Sequence, residues 1–239
     1  MVDIHTHILP GVDDGSKSME MSVEMCRVAA AGGTTHIVAS PHCNDRYEYD
    51  RDAHLETLQQ LRHAVGDTME FSLGCDFHFS YDNVLDLMRD PSRYTIGNTR
   101  YLLAEFSDFS IAPNMKTTLS QICAIGIVPI ITHPERNRIL QTQPEVIKEW
   151  IDVGCLVQVT ANAITGFWGA LPKKVAAGLL RDRAVHVIAS DAHDPLHRSP
   201  VLSHALEAAA KIIGPEEAGF LVEDNPGAIV RGERLPYAT

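Results

Sequence analysis

Long apolar runs are missing from this chain. No stretch approaches the ~18 consecutive apolar residues of a membrane-spanning helix, so membrane insertion is not expected. An excess of positive charge is missing too. Twenty Lys and Arg stand against 31 Asp and Glu, a formal net charge of −11. General binding to nucleic acid is therefore not expected. Cysteine pairs at metal or redox spacing are also absent. Cys26, Cys43, Cys75, Cys123 and Cys155 are odd in number and scattered, with no CxxC. Reduced thiols in a cytoplasmic protein are the expectation. No basic-then-apolar leader precedes the first motif, and no long Pro/Gly/Ser linker or repeat divides the chain. One domain over residues 1–239, with an intracellular N-terminus, is the expected organisation.

What the chain does have is histidine, 12 in 239 residues. Many of them lie at the ends of short β-rich runs: "VDIH" at the start, "THIVAS" (35–40), "EFSLG" (70–74), "YLLAEF" (101–106), "IVPIIT" (127–132), "LVQVT" (156–160) and "VHVIAS" (185–190). Helical patterns lie between most of them. Met21, Met25 and Val28 form one apolar stripe, and Leu55, Leu58, Leu61 and Val65 a second. Pro144 reads as a first-turn helix proline, and 200–213 as a further amphipathic helix. Seven strands alternating with helices predict a parallel α/β fold, and continuous apolar strands predict burial of both faces. A closed or distorted (β/α) barrel fits better than an open sheet, because polar residues of one chemical type recur at the strand ends.

His5 and His7 end the first strand, and His42 comes after the second. Asp76 comes after the third, Glu105 ends the fourth, and His133 comes after the fifth. Asp191 and His193 come after the seventh. Six of the seven strands thus deliver a metal-type ligand at the C-terminal edge, where barrel active sites collect. Residues i and i+2 of a strand share a face, so His5 and His7 can meet one ion, as can Asp191 and His193. Imidazoles with several carboxylates suit open catalytic sites for Zn, Mn or Fe. A core would not repeatedly bury unpaired polar groups at one rim, at roughly 2–7 kcal/mol each.

The stretches "DIHTHILPGVDDG", "SPHC", "AEFS", "THPERN" and "VIASDAH" resemble the PHP (polymerase and histidinol phosphatase) superfamily. In particular they resemble its bacterial capsule-type protein-tyrosine phosphatases, the CpsB/YwqE group. The resemblance extends from residue 2 to "DNPGAIV" (224–230). It implies a distorted (β/α)7 TIM-like barrel and three divalent ions, Mn first, with Fe or Zn as alternatives. By motif position, His5, His7 and Asp191 hold the first ion, and Asp76 bridges it to the second. Glu105 and His133 complete the second, and Asp14, His42 and His193 hold the third. Arg136 and Arg198 match the phosphate-binding arginines. The nucleophile implied is a hydroxide bound between metals. The substrate implied is a phosphotyrosine protein, with a tyrosine kinase of polysaccharide export as a candidate partner.

One departure stands out: relatives usually carry Glu where this chain has Asp76. Asp is one methylene shorter, and His78 lies two residues on. Arg46, Arg51, Arg138, Lys173 and Lys174 are candidates for a locally positive mouth. Tyr47, Tyr49, Phe77, Phe79 and Tyr81 are candidates to flank a substrate ring, or else core and loop residues. The commoner Cys-dependent phosphatase chemistry needs Arg six residues after Cys. Those positions here are Gly32, Tyr49, Tyr81, Pro129 and Ala161. The rival readings are a small-molecule phosphatase of histidinol-phosphate type, an amidohydrolase, and a non-catalytic metal-dependent regulatory module. An amidohydrolase typically carries a Lys on strand four, where this chain has Glu105.

Overall fold

Parallel strands alternate with helices along the chain, as the apolar runs predict. The computed structural model describes residues 1–237. The strands are β1 (Val2–Thr6), β2 (His36–Ala39), β3 (His42–Cys43), β4 (Glu70–Leu73), β5 (Asp76–His78), β6 (Tyr101–Glu105), β7 (Val128–Thr132), β8 (Leu156–Thr160) and β9 (Val187–Ala189). Two of the seven expected strands are each broken in two. Pro41 has no N–H to donate and interrupts the second, while Gly74 and Cys75 interrupt the third.

β1, β2 and β4 form one parallel sheet, and β3, β5, β6, β7, β8 and β9 form another. Pairing carries across the breaks. Gly74 N–H donates to Ala39 O at 2.8 Å, and Asp76 N–H to Pro41 O at 3.0 Å. The ring closes where first and last strands meet. Thr6 pairs with Ala192 in a parallel bridge, Asp191 N–H donates to His5 O at 2.9 Å, and His7 N–H donates to Ala192 O at 2.8 Å. The result is a distorted (β/α)7 barrel.

The helices wrap the outside: α1 (Met19–Ala31), α2 (Arg51–Val65), α3 (Tyr81–Arg89), α4 (Met115–Ala124), α5 (Pro144–Asp152), α6 (Ala161–Thr165), α7 (Ala170–Arg181), α8 (Ser203–Ile213), α9 (Pro215–Phe220) and α10 (Asp224–Arg231). Ser18, Asp50 and Ser80 cap α1, α2 and α3 by accepting from backbone N–H groups of the first turn. Alternation on β8 sends Val157 and Val159 into the cluster shared with Leu119, Ile122, Ile147, Trp150 and Leu179 of the helices. Ile4, Val38, Leu103, Ile130 and Val187, from five strands, build a separate cluster.

Two helix expectations shift by a small step. The buried face of α1 is Ser22, Met25, Cys26 and Ala29, so Met21 and Val28 flank it. α8 begins at Ser203 rather than Pro200. Among the described residues, no helix is long and apolar enough to cross a membrane.

Candidate metal centre

β1 carries His5, and the residue just after the strand is His7; both are fully buried in the ring of strand ends. Their Nε2 atoms lie 3.4 Å apart. Each ring is oriented from behind. Gln158 Oε1 is 3.0 Å from His5 Nδ1, and Asp13 Oδ2 is 2.8 Å from His7 Nδ1. Both imidazoles therefore turn Nε2 toward the centre. Partners of this kind fix the tautomer of a metal-ligating histidine.

The turn after β1 folds back onto His7. Ser16 N–H donates to His7 O at 3.0 Å. A Cβ on Gly15 would fall 2.1 Å from that same oxygen, so only glycine fits. The turn gives its two carboxylates different places. Asp13 is buried and also accepts from Gly15 N–H at 2.9 Å. Asp14 is half-exposed, with Oδ1 3.4 Å from His42 Nε2 and 3.4 Å from His193 Nε2.

Asp76 is wholly buried at the middle. Its Oδ2 stands 3.6 Å from His5 Nε2, 4.0 Å from His7 Nε2 and 3.1 Å from His42 Nδ1. Glu105 Oε2 lies 3.7 Å from His42 Nδ1 and 3.6 Å from His78 Nδ1, and its Oε1 lies 3.8 Å from His133 Nε2. These distances group the donors into three clusters: His7, Asp14, His42 and His193; His5, His7 and Asp76; His42, Asp76 and Glu105. His42 belongs to two of them, because each of its ring nitrogens faces a carboxylate.

Asp191 splits its carboxylate between two neighbourhoods. Oδ1 lies 3.4 Å from His7 Nε2 and 3.7 Å from His5 Nε2. Oδ2 accepts from Arg136 Nη1 and, at 2.7 Å, from Arg198 Nη2. Burial opposes its ionisation, but Arg136, His7, His5 and Arg198 hold the carboxyl well below the usual range. Asp191 (φ 52°) and His133 (φ 35°) both adopt left-handed backbone. Such conformations cost about 1–3 kcal/mol and cluster at functional sites.

Other shifts sort the histidines. Burial, then the charge of Arg136, lowers His133 to about 3. Burial, then His7, lowers His193 to about 4. Both are neutral at pH 7 and keep a lone pair to offer. Burial opposes the charged forms of His7 and His42, but Asp13 raises His7 to about 9, and Asp14 with Asp76 raises His42 to about 11.

Among the described residues, both Asp76 oxygens, His42 Nδ1 and His193 Nε2 are buried without a hydrogen-bond partner. Buried polar atoms left bare at this density are costly. Their imidazole and carboxylate chemistry fits divalent Mn, Fe or Zn.

The mouth is an open cavity of about 680 Å³. Glu105, His133, Arg136, Arg138, Arg46, His78, Phe109 and Trp168 are among its lining residues. Two loops present the arginines. Asn137 pins one by donating to Phe106 O and Ser107 O and accepting from Ile139 and Leu140 N–H. Asp194 pins the other by accepting from the N–H groups of Leu196, His197 and Arg198.

A family model for capsular polysaccharide synthesis, CpsB/CapC, matches residues 1–231. The chain belongs to the CpsB/CapC family. Its sequence is 32% identical to the tyrosine-protein phosphatase CpsB of Streptococcus pneumoniae over 98% of this chain and 100% of that one. Its fold superposes with a TM-score of 0.91 on a solved structure from work on YwqE of Bacillus subtilis and CpsB of S. pneumoniae, described as unique metal-dependent tyrosine phosphatases. The sequences are 28% identical there, covering 98% of this chain and 96% of that one. A histidinol phosphate phosphatase from Lactococcus lactis, solved with zinc, histidinol and phosphate, shares the fold at TM-score 0.57 and 12% identity, covering 93% and 96% of the two chains.

In this CpsB/CapC chain the nine carboxylate and imidazole residues singled out from sequence converge, and both arginines reach them. Asp13, Gln158 and Trp168 were not singled out. Asp13 is one of two adjacent turn carboxylates, and Gln158 is a polar residue amid an apolar strand. Of the basic candidates, Arg46 and Arg138 line the cavity. Arg51 instead donates to Arg93 O and Asn98 Oδ1, and Lys173 to Thr165 O. Of the aromatic candidates, Tyr49, Phe77 and Phe79 are core, and Tyr81 is exposed. Tyr47 stacks beside His42, with ring centroids 5.8 Å apart.

Proposed function

We propose that this chain is a metal-dependent protein-tyrosine phosphatase of the cytoplasm, serving regulation of capsular or extracellular polysaccharide synthesis. The observation that carries the reading is Asp191. One of its oxygens faces the histidine pair and the other holds two guanidinium groups. Cations suited to phosphoryl oxygens thus stand beside a set of groups suited to metal ions. The names of the relatives supply the substrate class, phosphotyrosine, and the setting, capsule synthesis.

Three divalent ions, Mn first, would be held by His5, His7 and Asp191, by Glu105 and His133, and by Asp14, His42 and His193. Asp76 would join the first two positions. When bound, such ions supply Lewis acidity at phosphoryl oxygen and activate water near neutral pH. The chain's own residues do the rest. Gln158 and Asp13 keep His5 and His7 in the tautomer that presents Nε2. Arg136 and Arg198 take two phosphoryl oxygens and stabilise charge as it shifts during displacement. A phenolate leaving group, with a pKa near ~10, leaves without a dedicated protein acid. The phosphotyrosine tail of a kinase of polysaccharide export is the partner this reading favours.

The test is a panel of phosphotyrosine peptide, phosphoserine peptide and histidinol phosphate under one metal condition. Phosphotyrosine should give the highest kcat/KM, EDTA should abolish turnover, and Mn²⁺ should restore it. A preference of about tenfold or more for histidinol phosphate would replace the substrate class. No turnover of any phosphate ester with defined metals would leave a non-catalytic module.

A further inference from the structure

Trp168 stands in the turn between α6 and α7, against both arginines. Its ring centroid is 4.2 Å from the Arg136 guanidinium carbon and 5.4 Å from that of Arg198. Both distances are within the ~6 Å over which an aromatic face attracts a cation, and indole is the strongest of the aromatic partners. The turn fixes the ring's place. Gly166 (φ 99°) and Gly169 (φ 93°) bracket it in left-handed backbone, and Gly169 N–H donates to Gly166 O at 3.0 Å. Phe167 N–H donates to Asn162 O at 2.9 Å, and its ring packs edge-on against the indole.

The arginines need such a support. Among the described residues, Asp191 is the sole hydrogen-bond partner of either guanidinium. Two like charges therefore converge on one carboxylate oxygen at the ends of long, flexible stems. On the phosphate-binding reading, an incoming phosphate would compete with that oxygen for the two guanidinium groups. A guanidinium can slide a short way over an indole face without losing the attraction, so the ring keeps hold of both groups beside the cavity that Arg136 and Trp168 line.

We propose that Trp168 is the positioning residue for the two arginines, holding them for a phosphoryl group by a shared cation–π face. The proposal rests on the phosphate-binding reading of Arg136 and Arg198.

The experiment uses the full, metal-loaded chain and inorganic phosphate as a competitive probe, with a phosphotyrosine peptide and a simple alkyl phosphate as substrates. Trp168→Leu keeps apolar bulk but removes the aromatic face. It should raise the phosphate inhibition constant about tenfold and lower kcat/KM for both esters by a similar factor, with metal content unchanged. Trp168→Phe should recover most of the loss. Trp168→Leu added to Arg136→Ala plus Arg198→Ala should have little further effect, since the groups it positions are gone.

Unchanged phosphate inhibition in Trp168→Leu, with the arginine variants impaired, overturns the positioning role and leaves the phosphate site standing. Unchanged inhibition in the arginine variants themselves overturns the underlying reading. A loss confined to the aryl ester shows the indole touching the substrate ring instead, and loss of bound metal shows a structural role. Either also overturns the proposal.

Discussion

Asp13 Oδ2 lies 2.8 Å from His7 Nδ1, and that contact decides which nitrogen of His7 faces the site. Without it the ring can flip or change tautomer, although Asp14 next door would still be present. Asp13→Ala is expected to weaken metal binding by about 10–100-fold, the usual effect of removing a carboxylate behind a ligating histidine. A metal titration by calorimetry or competition with a chromogenic chelator checks this. Unchanged affinity would mean that packing alone orients His7.

Asp76 is the fully buried carboxylate that His5, His7 and His42 approach. Asp76→Asn keeps the shape and removes the charge. It is expected to lower metal content by more than one ion per chain, because an amide bridges poorly. Elemental analysis reads this directly. Unchanged stoichiometry would move the bridge elsewhere, and His78, 3.6 Å from Glu105, would be the next residue to replace.

The two arginines should separate from the metal set. Arg136→Ala and Arg198→Ala are each expected to lose about tenfold or more in kcat/KM, some 1.4 kcal/mol of transition-state stabilisation, with metal retained. Steady-state kinetics paired with metal analysis decides the matter. Metal loss with full turnover per remaining ion would make these arginines supports for Asp191 only.

Metal uptake should release protons. His7 is raised to about 9 and His42 to about 11, both opposed by burial and driven by facing carboxylates, so both are protonated in the metal-free protein at pH 7. A ligating imidazole must be neutral. Apparent metal affinity is therefore expected to climb as pH rises toward 9 and to fall in acid. Calorimetry in buffers of different ionisation enthalpy would count the protons. A count near zero at pH 7 would place both histidines neutral before the ion arrives.

The ring of strand-end ligands was legible because a strand's period of two is rigid. His-Thr-His puts two donors on one side at the end of β1. Asp191 and His193, in contrast, lie beyond β9, and Asp191 takes left-handed backbone, so there the spacing pointed to the right residues without the strand geometry behind it. The barrel came from seven apolar runs and the helical patterns between them. The broken second and third strands were harder to see, although Pro41 is a sequence-level signal for one of them. Asp13 and Asp14 look alike in sequence, and only the fold-back over His7 distinguishes the one that supports from the one that faces the cluster. Trp168 carries no local signal at all, since its partners lie 32 and 30 positions away. The stripe on α1 slipped by one residue because methionine at Met21 is apolar but sits at the edge of the buried face.

The barrel closes between the chain's first strand and the segment Asp191–Ala192. During synthesis from the N-terminus, His5 and His7 emerge first, yet Asp191 and His193 are among the last parts of the rim to leave the ribosome. A nascent chain can pair β1 with β2 early, but its other edge stays open until Asp191 and Ala192 have been made. The complete donor set therefore needs the chain through His193. A product that stops before Asp191 carries the leading histidine pair without the carboxylate that faces it, and without the acceptor on which Arg136 and Arg198 converge.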